Sequence, residues 1–179
     1  MFGEGGLSLQ DTFQSQKLGD CYFIAGSVAY AEDEARFLES FVVQATNIKG
    51  LYVFNVFVAG KPEVVVIDDF LPFEWTTSSG SSMFQLFFAK PGIDGAMWGP
   101  LLEKLWAKIN GNYELIASGW QHESLRLFTG APAQDYVCAS LSIDEIWRII
   151  SDADKNGYIM GGGTPNTGDH TTTNDVGLN

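Results

Sequence analysis

The residues of this chain that could carry chemistry are few: two cysteines, two histidines, and scattered glutamines and carboxylates. Cys21 stands in DTFQSQKLGDCYFIAG, residues 11–26, behind Leu-Gly-Asp and ahead of an apolar run. The thiolate is the reactive form of cysteine. The first turn of a helix favours it, because backbone N–H groups and the helix dipole stabilise negative charge. Cys21 opens a helix-like run and so has that placement. Gly19 lets a substrate backbone come close. Acyl transfer also needs an oxyanion donor, and Gln14 and Gln16 lie within reach of the same turn. A buried small hydrophobe is the other reading of such a cysteine. A nucleophile further requires a base. His122 lies in GWQHES, which reads as a surface turn, and His170 lies in GDHTTTN, a polar loop. Cys138, in YVCASLS, reads as a buried thiol.

The elements that must position these groups follow from the pattern. CYFIAGSVAYAED is almost uninterruptedly apolar up to Glu32, the mark of a buried central helix, with Asp20 at the N-cap position. Residues 50–73 contain two strand-like runs around Gly-Lys-Pro, a β-hairpin signal. TTSSGSS, 76–82, reads as a polar loop, and FQLFFA, 84–89, as a strand. WGPLLEKLWAKIN, 98–110, is an amphipathic helix with Pro100 in its first turn, Gly111 at its end, and a stripe of Leu101, Leu102, Leu105, Trp106 and Ile109. SIDEIWRIISDADKNG, 142–157, reads as a second such helix capped by Ser142, and YIMGGGT as the opening of a strand. The five Trp and thirteen Phe sit on these stripes and read as core.

Composition narrows the function classes. The chain has 179 residues, 45% hydrophobic and 18% charged, which suits a globular protein with a real core. Its net charge of −12 repels phosphate backbones and anionic lipid, so nucleic acid and membrane surfaces are unsuited partners, while cations are attracted. No apolar stretch approaches a membrane span, and MFGEGGLSLQ lacks the basic and apolar regions of a signal peptide. Two cysteines far apart make no disulfide framework and point to a reducing, cytoplasmic setting.

Four ordered segments carry a resemblance. LGDCYF, 18–23, is similar to a Gln-Gly-x-Leu-Gly-Asp-Cys-Trp segment, VVVIDDFLP, 64–72, to a Val-x-Val-Asp-Asp-x-Leu-Pro strand, WGPLLEKLWAKINGNYELIASG, 98–119, to a Trp-x-x-Leu-Leu-Glu-Lys block, and LFTGAP, 127–132, to a Leu-Thr-Gly-Gly turn. Together they resemble the calpain family of papain-like cysteine proteases. The resemblance implies an α+β papain-like (calpain-type) proteinase with two lobes about a cleft: a complete helical, Cys-bearing first lobe over residues 1–130, and the start of an incomplete second lobe over 131–179. It implies that Cys21 is the nucleophile, that Gln14 is the oxyanion-hole glutamine with one residue inserted after it, and that the substrates are proteins. The family's general base sits in a Gly-Leu-x-x-Gly-His-Ala-Tyr pattern, which on this register falls just past Gly177-Leu178-Asn179. His170 is too early for it. The chain by itself is then expected to be inactive, or to serve as a binding or scaffold module. An incomplete lobe leaves apolar surface uncovered, which implies self-association.

The resemblance also implies Ca²⁺, held in the first lobe by the main chain near Gly6, by Asp11 and by Glu103, all hard oxygen donors. The alternative is that Asp11 caps a turn and Glu103 is solvated. A rival calcium motif, DADKNG at 152–157, matches the start of an EF-hand loop but reaches Gly163 where a bidentate Glu is required. A helix-ending turn accounts for it better. Asp68-Asp69 reads as a structural pair that satisfies backbone and basic partners.

Overall fold

The computed structural model describes residues 1–4, 6–7, 12–40, 50–78 and 81–163. The apolar run forms α1, Cys21–Ala31, which buries Tyr22, Phe23, Ile24, Gly26, Ser27, Tyr30 and Ala31. Glu32 and Asp33 end it, and the Asp33 carboxylate accepts from the Arg36 N–H at 3.1 Å to start α2, Glu34–Glu39. β1 (Leu51–Val58) and β2 (Lys61–Asp68) pair antiparallel, Val58 opposite Lys61. Their turn is Ala59-Gly60, both at positive φ, so Lys61-Pro62 begins the second strand instead of making the turn.

A second hairpin joins β3 (Phe73–Ser78) to β4 (Ser81–Leu86), Trp75 opposite Phe84. The expected loop at 76–82 is thus largely strand. Phe73 and Trp75 alternate with Glu74 and Thr76, and this period of two outweighs the polar composition. α3 is Trp98–Asn110, as its stripe predicts. α4, Gln121–Thr129, replaces the surface turn read at His122: the Glu123 carboxylate accepts from the Trp120 N–H at 2.9 Å, and Gly130 ends the helix at φ 64°. α5 is Ile143–Lys155, where Ser142 and Glu145 form a reciprocal capping box. DADKNG is the C-terminal turn of α5: Gly157 takes φ +66° and the Tyr158 N–H closes on the Ala153 carbonyl. Residues 158–163 form no strand.

The core gathers around α1. Phe23 stacks on Trp106 of α3 at 5.3 Å, Tyr30 stacks on Phe128 of α4 at 4.8 Å, and Phe37 meets Trp98 edge-on at 5.3 Å. Each such buried side chain contributes roughly 1.5–3 kcal/mol. Lys104 and Lys108, one turn apart on α3, hold the first hairpin by its main chain. Lys104 donates to the carbonyls of Asp68 and Phe70 at 3.0 and 2.6 Å and pairs with the Asp68 carboxylate, while Lys108 donates to the Val66 carbonyl at 2.5 Å. Asp68 therefore satisfies a basic partner and, at 3.0 Å, the Phe70 N–H.

Every buried apolar side chain among the described residues lies at or before Phe128. Beyond it, α5 exposes Ile143, Trp147 and Ile150. Residues 157–162 turn back onto the core, where Ile159 packs against it and the Gly162 carbonyl accepts from Gln121 Nε2 at 2.9 Å.

Candidate active site

Cys21 is the first residue of α1 and is exposed, so the buried reading of this thiol does not hold. Cys138 is exposed as well, against expectation, because the turn Cys138–Ser140 lies outside the core. Cys21 stands between two anchored neighbours. Asp20 is fully buried, and its carbonyl accepts from Phe23 and Ile24 at 2.9 and 3.2 Å, which starts the helix. Its carboxyl makes no N-cap hydrogen bond and turns inward, correcting the side-chain capping its position suggested. Tyr22 donates its hydroxyl to the Ile116 carbonyl at 3.1 Å and accepts from Trp106 Nε1 at 2.9 Å. The Gly19 carbonyl accepts from the Ser118 N–H at 2.8 Å. Cys21 is therefore an exposed thiol on a turn tied on both sides, at a helix terminus whose first N–H groups lack intrahelical acceptors.

The loop before it is pinned to the strap at residues 87–90. Ser15, buried, donates to the Phe87 carbonyl at 3.1 Å and accepts from Lys17 N–H, while Lys90 N–H donates to the Phe13 carbonyl at 2.9 Å. With Ser15 inward, Gln14 and Gln16 both face solvent. Gln14 spends its amide on the Leu18 carbonyl at 2.9 Å. That bond keeps it in the loop before Cys21 and directs its donor at the loop itself. Lys17 forms an ion pair with Glu74 of β3, and this holds Glu74 below the usual carboxylate range.

His122 is not on this turn's hydrogen-bond network. Its Nδ1 meets the Asp135 carboxylate at 3.0 Å, and its ring lies parallel to the Trp120 indole. His170 and Asp11 lie outside the described residues. Among the described residues no three His, Cys, Asp or Glu side chains gather to hold a metal. Glu103 is 1% exposed and so not solvated: both its oxygens accept from the Ala89 N–H, at 3.2 and 3.0 Å. Gly6 takes φ +86°, with its N–H on the Gly3 carbonyl at 3.1 Å. The Glu103 carboxyl is thus enclosed in the packing of α3 against the Cys21 turn.

Sequence reasoning missed Tyr22, Trp106 and Asp20 as the supports of Cys21. Asp20 was legible as the residue fused to the cysteine. The Tyr22–Trp106 bond spans 84 positions and left no local signal.

Comparison with known proteins follows this geometry. The model of the calpain family cysteine proteases matches residues 1–178. The chain is 28% identical over 171 residues to the calpain-type cysteine protease ADL1 of Oryza sativa subsp. japonica, covering 92% of this chain and 8% of that protein. It is 32% identical over 163 residues to the calpain-2 catalytic subunit of Bos taurus, covering 89% of this chain and 22% of that protein, and 31% identical over 160 residues to that of Homo sapiens, covering 88% and 21%. The chain therefore spans a small part of the length of the relatives it matches. An exposed cysteine opening a buried central helix, and a family match over nearly every residue, lead to one assignment: the chain belongs to the calpain family of cysteine proteases.

Proposed function

We propose that this chain carries the nucleophile half of a calpain-type endopeptidase acting on proteins, with Cys21 as the attacking group. The observation that carries the reading is the exposure of Cys21 at the first residue of a helix whose flanking residues are anchored in the core. In this reading the Cys21 thiolate adds to a peptide carbonyl, and the oxyanion is held by the Cys21 amide and by the Gln14 amide once that side chain leaves the Leu18 carbonyl. The proton goes to a histidine that is not His122, whose ring is committed to Asp135. Residues 1–130 form the Cys-bearing lobe and 131–179 begin the second. Calcium in this reading is held by the main chain near Gly6, by Asp11 and by Glu103, all hard oxygen donors.

A second reading, a calpain-like binding or scaffold module, draws on the same two hydrogen bonds: the glutamine donor and His122 are both directed away from Cys21. A chloromethyl ketone peptide separates the two. The protease reading expects Cys21 to be labelled at least tenfold faster than Cys138 in the folded chain, located by peptide mass mapping. Equal, slow labelling of the two exposed thiols favours the scaffold.

A further inference from the structure

Next to the loop that leads into Cys21 lies a crevice that neither the family assignment nor the proposed reaction uses. It has a volume of about 230 Å³ and runs between that loop and the β3–β4 hairpin, lined by Gln14, Gln16, Lys17, Glu74, Gln85 and Lys90. Its chemistry is one-sided. Glu74 is the one carboxylate among these residues, and it is already engaged: one oxygen pairs with the Lys17 ammonium, and the other accepts from Gln85 Nε2 at 3.3 Å. Lys17 also lies over the Phe87 ring, 4.3 Å from its centre, which holds the ammonium at one wall. Gln14 spends its amide on the Leu18 carbonyl. Two donors are left over. The ammonium of half-buried Lys90 has three N–H groups and, among the described residues, one acceptor, the Leu86 carbonyl. The exposed Gln16 side chain has no hydrogen-bond partner among the described residues. Two lysines against one glutamate leave the crevice with surplus positive charge, in a chain whose net charge is −12.

We propose that this crevice is a specificity subsite for an acidic side chain, Asp or Glu, of the bound peptide, whose carboxylate is held by the Lys90 ammonium and the Gln16 amide. The proposal rests on Cys21 being the nucleophile, and it names the substrate class which that reading leaves open: protein segments with an acidic residue close to the scissile bond. The crevice is placed for this. Gln14 lines it and is also the donor assigned to the oxyanion, so a peptide whose carbonyl lies at Cys21 runs past its mouth. A carboxylate has acceptor sites for both free donors, and its hydrogen bond to an ammonium is charge-assisted. Half-burial of Lys90 strengthens that bond over one made in open water. The other side-chain classes fit poorly. A basic side chain meets Lys90 and Lys17 with Glu74 already neutralised. An apolar one displaces water from Lys90 and Gln16 and gives them no acceptor. The acidic surface elsewhere gives acidic peptides no general attraction, so any preference for them comes from this contact.

The test uses the whole chain and epoxysuccinyl diamide peptides that carry the same residue, Glu, Gln or Lys, on both sides of the epoxide. Cys21 alkylation by each probe is timed by peptide mass mapping. In the wild type the Glu probe is expected to label Cys21 about tenfold faster than the Gln probe, with the Lys probe slowest. Lys90→Gln is expected to bring the Glu rate to within about twofold of the Gln rate and to leave the Gln rate itself unchanged. Lys90→Glu is expected to reverse the order in favour of the Lys probe. Gln16→Ala, at an exposed position, is expected to keep the fold and to reduce the Glu preference about threefold. Equal Cys21 rates for the three probes overturn the subsite. A Glu preference that survives both Lys90→Gln and Gln16→Ala overturns these residues as its donors. Cys21 reacting no faster than Cys138 with every probe overturns the nucleophile reading, and NMR titration with N-acetylglutamate N-methylamide then decides the crevice. Movement of the Gln16 side-chain amide resonance that Lys90→Gln abolishes upholds carboxylate binding there, and absence of movement overturns it.

Discussion

At the scale of single residues, the Cys21 turn is held by side chains that hydrogen-bond to segments distant in sequence. Tyr22 is the clearest. Its hydroxyl is the acceptor for Trp106 Nε1 and the donor to the Ile116 carbonyl, so removing it leaves a half-buried indole N–H and a carbonyl without their partner. Tyr22→Phe is expected to destabilise the fold by about 1–3 kcal/mol, measured by urea unfolding. It should also slow Cys21 alkylation, because the two hydrogen bonds of the hydroxyl anchor the residue after the thiol. A loss of stability below about 0.5 kcal/mol would mean the hydroxyl is replaceable by water. Ser15 works in the same manner on the other side, where its inward hydroxyl fixes the loop that carries Gln14.

At the scale of elements, α1 and α4 approach so closely that one glycine decides the packing. A Cβ on Gly26 would lie 1.9 Å from the Ser124 hydroxyl oxygen and 3.0 Å from the Gln121 carbonyl oxygen. Ser124 has little freedom to move away, since it donates to that same carbonyl at 2.8 Å. Gly26→Ala gains helix propensity worth about 1 kcal/mol, but overpacking at a helix contact costs about 1–3 kcal/mol, so net destabilisation is expected by chemical denaturation. The double variant Gly26→Ala, Ser124→Ala should recover part of the loss, and absence of recovery would place the strain on the Gln121 carbonyl instead. The lysine pair on α3 illustrates the same economy: Lys104 and Lys108 seat the first hairpin by bonding carbonyls of β2 and the residues after it.

At the scale of the whole molecule, two properties follow. The first is pH dependence. Glu103, pushed up to about 9, keeps a proton in the folded chain that an unfolded chain releases near pH 4.5. Between those values the unfolded state binds fewer protons, so stability is greatest near pH 5 and falls as pH rises toward 9. Asp68, Glu74 and Glu145 are lowered by their hydrogen bonds, so their opposite contributions are lost at acid pH, outside this window. Thermal melts at pH 5, 7 and 9 measure the effect, and a midpoint rising across that series would contradict it. The second is association. α5 exposes Ile143, Trp147 and Ile150 along one helix, an apolar stripe that water solvates poorly. Light scattering is expected to find species above the monomer mass, and Ile143→Ser with Trp147→Ser to shift them toward monomer. A wild-type monomer at all concentrations would refute this.

Much of the molecule was legible in the sequence because it is local. The apolar run placed α1 and its opening cysteine, the i, i+3 and i+4 stripe placed α3 to the residue, and the amphipathic run capped by Ser142 placed α5. Four spaced motifs identified the family. α4 was not legible, because nine residues with Gln, His, Glu and Ser at the start show no strong period, and the packing of Gly26 and Phe128 against the core decides the helix there. β3 was hidden for a related reason: its threonines and serine look like a loop until β4 supplies the opposing strand. The fate of the polar side chains lay entirely beyond sequence. Asp20 occupies a capping position yet turns inward, and Glu103 looks like an exposed helical carboxylate yet is buried on the Ala89 N–H. Local patterns determined which residue types stand at the Cys21 turn. Only the tertiary structure decided which of them meet, because burial and pairing depend on contacts between segments far apart along the chain.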